Sequence, residues 1–157
     1  MCRILVIGFG NPLRGDDGVG WRIADAVAHM WSDRINVRTG QQLVPEWAAD
    51  LAEADIAFLV DASTRQRARL RLLPLSPADD AVVLDGHTVQ PRQLLQLAEA
   101  VFGRRPIAYL LEVPAEDFEF GETLSPVASA GAKRAVRLLD RHIRSALSVA
   151  DGDIHAE

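Results

Sequence analysis

The chain has 157 residues, 48% of them hydrophobic and 25% charged, with a net charge of −5 at pH 7. That is room for one domain with a real core, and the acidic balance argues against a general binder of nucleic acid or anionic membrane. A single cysteine, Cys2, excludes an intrachain disulfide and a cysteine-built zinc site; it suits a reducing, cytoplasmic setting. No apolar run approaches the roughly 18–20 residues of a membrane helix. The N-terminus is expected to enter a strand directly, with no secretory leader. Arginine outnumbers lysine sixteen to one, which reads as a compositional bias.

Residues 3–9 form a short, continuous apolar run, the pattern of a strand buried on both faces of a parallel sheet. A glycine-rich stretch follows, Gly8-Phe9-Gly10-Asn11-Pro12-Leu13-Arg14-Gly15-Asp16-Asp17-Gly18-Val19-Gly20, with five glycines in thirteen residues. Such density implies unusual backbone angles or close approach of another group. Ile23, Ala24, Val27, Ala28 and Trp31 then recur at helical spacing, with Asp16 or Asp17 as the expected cap. A second strand is predicted at 35–39, closed by Gly40, and a short helix from Pro45 to Glu53.

Ile56 to Val60 is a third apolar strand, expected to end in Asp61-Ala62-Ser63. A basic stretch, Arg65, Arg67, Arg69 and Arg71, leads to possible strands at 70–73 and 82–84, then to Asp85-Gly86-His87. Pro91 opens a helix carrying Leu94, Leu97, Ala98 and Val101, ended by Gly103. Ile107 to Val113 is another strand. After an acidic loop holding Phe118 and Phe120, Ser125-Pro126 reads as an N-cap and first turn of a last helix. That helix is expected to reach about Leu147, giving one domain over 1–147 and a flexible tail at 148–157. Strands alternating with amphipathic helices predict an α/β fold with a mostly parallel sheet covered on both faces.

In such sheets ligands bind beyond the carboxyl ends of the strands, where the strand order reverses. Asp17, after strand one, and Asp61, after strand three, are placed there, and His87 follows the 82–84 run. Two carboxylates and an imidazole form a mixed oxygen and nitrogen set suited to zinc, iron, manganese or nickel, with positions left for water or substrate. Gly8-x-Gly10 also begins like a dinucleotide fingerprint. However, position 13 is Leu where a third glycine is needed, and no acid ends the second strand.

The motif Gly8 to Leu13 with Asp16-Asp17-Gly18-Val19-Gly20 resembles the opening motif of the nickel–iron hydrogenase maturation endopeptidases. The likeness continues through Phe58-Leu59-Val60-Asp61-Ala62, His87 with Pro91 and its leucine-bearing helix, Gly103 to Pro106, the strand at 107–113 and Leu124-Ser125-Pro126. It covers about residues 3–147. The resemblance implies a single three-layer α/β/α domain around a twisted, mostly parallel sheet, of the phosphorylase/hydrolase-like kind. It also implies cleavage of a C-terminal extension from a hydrogenase large-subunit precursor after nickel insertion. The family's metal ligands fall on Asp17, Asp61 and His87, which would recognise nickel carried by the precursor. The first ligand, often Glu in relatives, is the shorter Asp here. The loop after strand two, Thr39-Gly40-Gln41-Gln42-Leu43, also departs from the common pattern; it is expected to face the partner.

No Ser/His or Cys/His nucleophile signature accompanies these residues, so the open choices are a metal-activated water or a carboxylate general base. A metal-binding adaptor of the same fold without proteolysis is the alternative function, and a dinucleotide-binding domain a more distant one. No nucleic-acid or membrane partner is expected, and the chain is expected to be a monomer. Asp16 reads as a cap or support, Asn11 as a residue that fixes the loop, and His29, His142 and His155 as structural or solvated. Phe118 and Phe120 read as satellite core packing.

Overall fold

The computed structural model describes residues 1–65, 67–79 and 89–153. Five strands, β1 (Ile4–Phe9), β2 (Asn36–Gly40), β3 (Ile56–Ser63), β4 (Arg71–Leu75) and β5 (Ile107–Pro114), form one sheet in the order β2-β1-β3-β5-β4. The first three pairings are parallel, and β4 lies antiparallel on β5 at the edge. Helices α1 (Val19–Trp31), α2 (Trp47–Glu53), α3 (Pro91–Phe102) and α4 (Pro126–Asp153) cover the two faces. This is the expected α/β/α layering.

The layers follow from strand periodicity. Successive side chains of a strand point to opposite faces. Ile4 and Val6 of β1 therefore join Phe58 and Val60 of β3 beneath α1 and α4. Leu5 and Ile7 join Ala57 and Leu59 beneath α2 and α3. All these side chains are at most 2% exposed, so each large one contributes about 1.5–3 kcal/mol of burial.

Element ends follow local chemistry. Gln90 and Gln93 form a reciprocal capping box at the start of α3, which ends at Gly103 with φ 70°. At α4 the Ser125 hydroxyl accepts from the Ala128 N–H at 3.2 Å.

Three expectations are corrected. Neither Asp16 nor Asp17 caps α1: both lie in a 3₁₀ turn, Gly15–Gly18, and Gly18 is the N-cap without a side-chain bond. Strand β3 ends at Ser63 as expected, but Asp61 lies within it rather than after it, paired with Glu112 of β5. The last helix runs past Leu147 to Asp153, with the Ser148 hydroxyl bonded to the Arg144 carbonyl and Arg34 3.7 Å from Asp151. The expected strand at 82–84, His87 and His155 lie outside the described residues.

Candidate active site

The strand order places β2 and β3 on opposite sides of β1, so the switch point lies where β1 and β3 end. The glycine stretch is folded into that point. A side chain at Gly8 would collide with the Gly20 carbonyl, and one at Gly20 would come within 2.7 Å of the Val60 carbonyl. The pair thus lets α1 cross directly over the ends of β1 and β3. Gly10, at φ 136°, has the Asp17 backbone in the place of a Cβ.

The loop's own donors hold Asp17. Its Oδ2 accepts from the Asn11 N–H at 2.7 Å, and Asn11 Oδ1 accepts from the Leu13 N–H at 3.0 Å. The Trp21 indole N–H donates to the carbonyls of Gly10 (2.8 Å) and Gly40 (3.1 Å), tying the loop to the end of β2. The N–H groups of Gly10, Arg14, Gly15, Asp16 and Asp17 all donate to backbone carbonyls. A phosphate cradle needs such groups free and outward. Here they are spent on the loop itself, on Gly40 and on the 117–121 segment, and the loop presents a carboxylate, which argues against a dinucleotide site.

Asp61 stands opposite Glu112 of β5, and Glu112 stands opposite Arg71 of β4. One row across three strands therefore reads carboxylate, carboxylate, guanidinium. Arg71 and Arg65 approach Glu112 at 3.9 and 4.0 Å. Asp61 is pushed up from 3.8 to about 7, first by burial and then by the charges of Asp17 and Glu112, against a hydrogen bond from the Ala62 N–H. The fold thus brings Asp17 and Asp61 into one electrostatic site. It adds Glu112, which the sequence reading missed because only strand pairing makes it Asp61's neighbour.

No family model matches the chain, and no curated protein matches it. Solved structures do. The chain is similar to the hydrogenase maturating endopeptidase HybD from E. coli, at 25% identity and TM-score 0.68, over 91% of this chain and 93% of that one. A hydrogenase 2 maturation peptidase from a Thaumarchaeota archaeon aligns at 24% identity and TM-score 0.66, over 90% and 97%. The [NiFe] hydrogenase maturation protease HycI from Thermococcus kodakarensis aligns at 19% and 0.70, over 90% and 92%. Over nine-tenths of its length the chain thus shares the fold of solved hydrogenase maturation endopeptidases.

Within this endopeptidase fold the other singled-out residues separate cleanly. Asp16 is fully buried. Its carboxylate accepts from the N–H groups of Glu116, Asp117 and Ser125 and from the Ser125 hydroxyl, at 2.6–3.0 Å. Burial pushes its pKa up, but these four bonds outweigh it and hold the group below the usual carboxylate range. Asp16 is therefore the pin that closes the 115–125 loop onto the glycine stretch, helped by the exchange between Gly15, Gly121 and Leu13 backbones.

Phe118 packs on the core as expected, whereas Phe120 does not: it is 88% exposed. His142 lies 6.0 and 6.2 Å from the rings of Phe58 and Tyr109, remote from the carboxylate row. His29 sits in the last turn of α1. His87, the expected third ligand, is outside the described residues. Among the described residues no cluster of three potential ligands stands ready-made.

Proposed function

We propose that this peptidase removes the C-terminal extension of a nickel–iron hydrogenase large-subunit precursor after nickel insertion, and that it recognises the nickel the precursor carries. The observation behind the reading is the pairing of Asp17 and Asp61 at the switch point. A buried carboxylate whose charge is disfavoured by a neighbouring carboxylate, as that of Asp61 is by Asp17, gains from a shared divalent cation. His87 is the residue we assign to complete the set. The metal is then part of the substrate, and its capture would hold the scissile peptide beside the carboxylates, a positioning gain that can be large.

Asp61, half ionised near neutrality, suits both tasks the reaction needs: a ligand once deprotonated, or the proton acceptor for an attacking water. Among the described residues no hydroxyl or thiol is hydrogen-bonded to an imidazole, and the Ser125 hydroxyl is spent on Asp16. This favours direct attack by water over an acyl-enzyme. We place the reaction in the cytoplasm, where Cys2 stays reduced, and take the working unit to be one chain. No helix among the described residues is long and apolar enough to cross a membrane.

The test is the mass of a nickel-loaded large-subunit precursor before and after incubation with the protein. Asp17→Asn, Asp61→Asn and His87→Ala are run beside it. Loss of a C-terminal peptide with the native protein and not with the variants is the expected result. An intact precursor that still binds in a metal-dependent way would replace the peptidase with an adaptor.

A further inference from the structure

Beyond the ends of β3 and β5, on the α4 side of the sheet, lies a cleft of about 640 Å³ that the reaction as described does not use. Its walls are the chain leaving β3 (Thr64, Arg65, Arg67, Arg69) and the chain leaving β5 (Pro114, Glu116, Phe118), with Val127 of α4 alongside, so three guanidinium groups face one carboxylate. Asp61 lies three residues before Thr64, and Glu112 two before Pro114. Counted along the chain at about 3.3 Å per extended residue, its walls begin some 10 Å beyond Asp61 and about 7 Å beyond Glu112. That is the span of about two to three residues of an extended peptide.

The charge of this cleft runs against that of the chain. Carboxylates outnumber basic groups 22 to 17 overall, yet residues 62–78 hold four arginines and no acid. Arg65 has a distant partner in Glu112 at 4.0 Å. Arg67 and Arg69 are exposed and, among the described residues, pair with no carboxylate. Arg67 also sits at φ 56°, where a glycine or asparagine would serve the turn at about 1 kcal/mol less. Guanidinium groups set over apolar walls match a peptide that carries both carboxylates and apolar side chains.

We propose that this cleft seats the precursor's polypeptide about two to three residues from the scissile bond, and that Arg67 and Arg69 select an acidic segment there. The proposal rests on the endopeptidase reading for the identity of the peptide, while the cleft's preference for acidic peptides is testable by itself. The probe is a fluorescein-labelled octapeptide alternating leucine and aspartate, amidated at its C-terminus. Its leucine–asparagine counterpart is the uncharged control. Fluorescence anisotropy at 50 mM salt should show at least tenfold tighter binding of the acidic peptide. Arg67→Glu with Arg69→Glu should abolish that preference. Arg104→Glu with Arg105→Glu, the same charge change beyond α3, should leave it intact.

In precursor cleavage the Arg67/Arg69 double variant should raise KM at least fivefold with kcat unchanged, the signature of lost binding outside the chemistry. Equal binding of the two peptides by the native protein, or a preference that survives in the Arg67/Arg69 variant, would overturn the proposal. Normal cleavage with unchanged KM in that variant would also remove the cleft while leaving the peptidase standing. Acid-selective binding by a native protein that cuts no precursor would do the reverse.

Discussion

Replacing Asp61 by Asn should make the protein more stable and inactive at once. In the folded chain Asp61 holds its proton up to about pH 7, against an ordinary value of 3.8. The folded state therefore binds this proton more tightly than the unfolded state does. The stability it confers is present at low pH and is lost as pH rises from about 4 to about 7. At roughly 1.4 kcal/mol per pH unit, the full span sets a ceiling of about 4 kcal/mol. Asp61 keeps some contact with solvent, which screens part of this, so about 2 kcal/mol is the expected gain. Asn is isosteric and keeps an oxygen to accept from the Ala62 N–H.

For a chain of this size ~2 kcal/mol corresponds to about 4–8 °C in Tm. Thermal denaturation of both proteins should show that gap at pH 8, shrinking to under about 2 °C at pH 4.5. The titration of Asp16 is common to both proteins and cancels. A gap that does not change with pH, or a variant less stable than the parent at pH 8, would refute the electrostatic origin assigned to the site. A stabilised but inactive variant is what a site held in unfavourable charge for function should produce.

Asp16→Ala should cost about 3 kcal/mol, since three part-buried backbone N–H groups and a hydroxyl lose their acceptor; urea denaturation at pH 7 measures it, and a cost under about 1 kcal/mol would mean the 115–125 loop is held by other contacts. The depressed pKa of Asp16 means that its contribution is present above pH 4 and fades as pH falls through its folded value, so the Asp16→Ala penalty should shrink in acid. Gly8→Ala should cost at least about 2 kcal/mol, because the methyl meets the Gly20 backbone rather than a side chain that can swing away; a near-neutral result in the same denaturation would show that α1 can lift off β1. Glu112→Gln should lower the pKa of Asp61, measured by carbon-13 NMR of its carboxyl, because one like charge leaves its row; an unmoved titration would assign the shift to burial and Asp17 without Glu112.

The alternation of apolar strands with amphipathic helices was enough to read the layered α/β fold, because burial on both faces forces continuous apolar runs that local sequence displays. Turn and cap chemistry was equally local: Gly103 ends α3 and Ser125 begins α4 as their residue types require. The glycine motif and the position of Asp17 and Asp61 near strand ends were legible for the same reason. What the two aspartates do was not. Asp16 and Asp17 are adjacent and chemically identical, yet one is sealed against residues a hundred positions away and the other is turned to the switch point. Glu112 looks like an ordinary strand acid until β5 lies beside β3. The arginines of 65–71 are a simple basic run until the ends of β3 and β5 diverge around a cleft. Hydrophobic periodicity is a property of neighbours in sequence. The charge on Asp61 and the company of Arg67 are properties of neighbours in space, and only the crossing of α1 over β1 and the pairing of β3, β5 and β4 decide those.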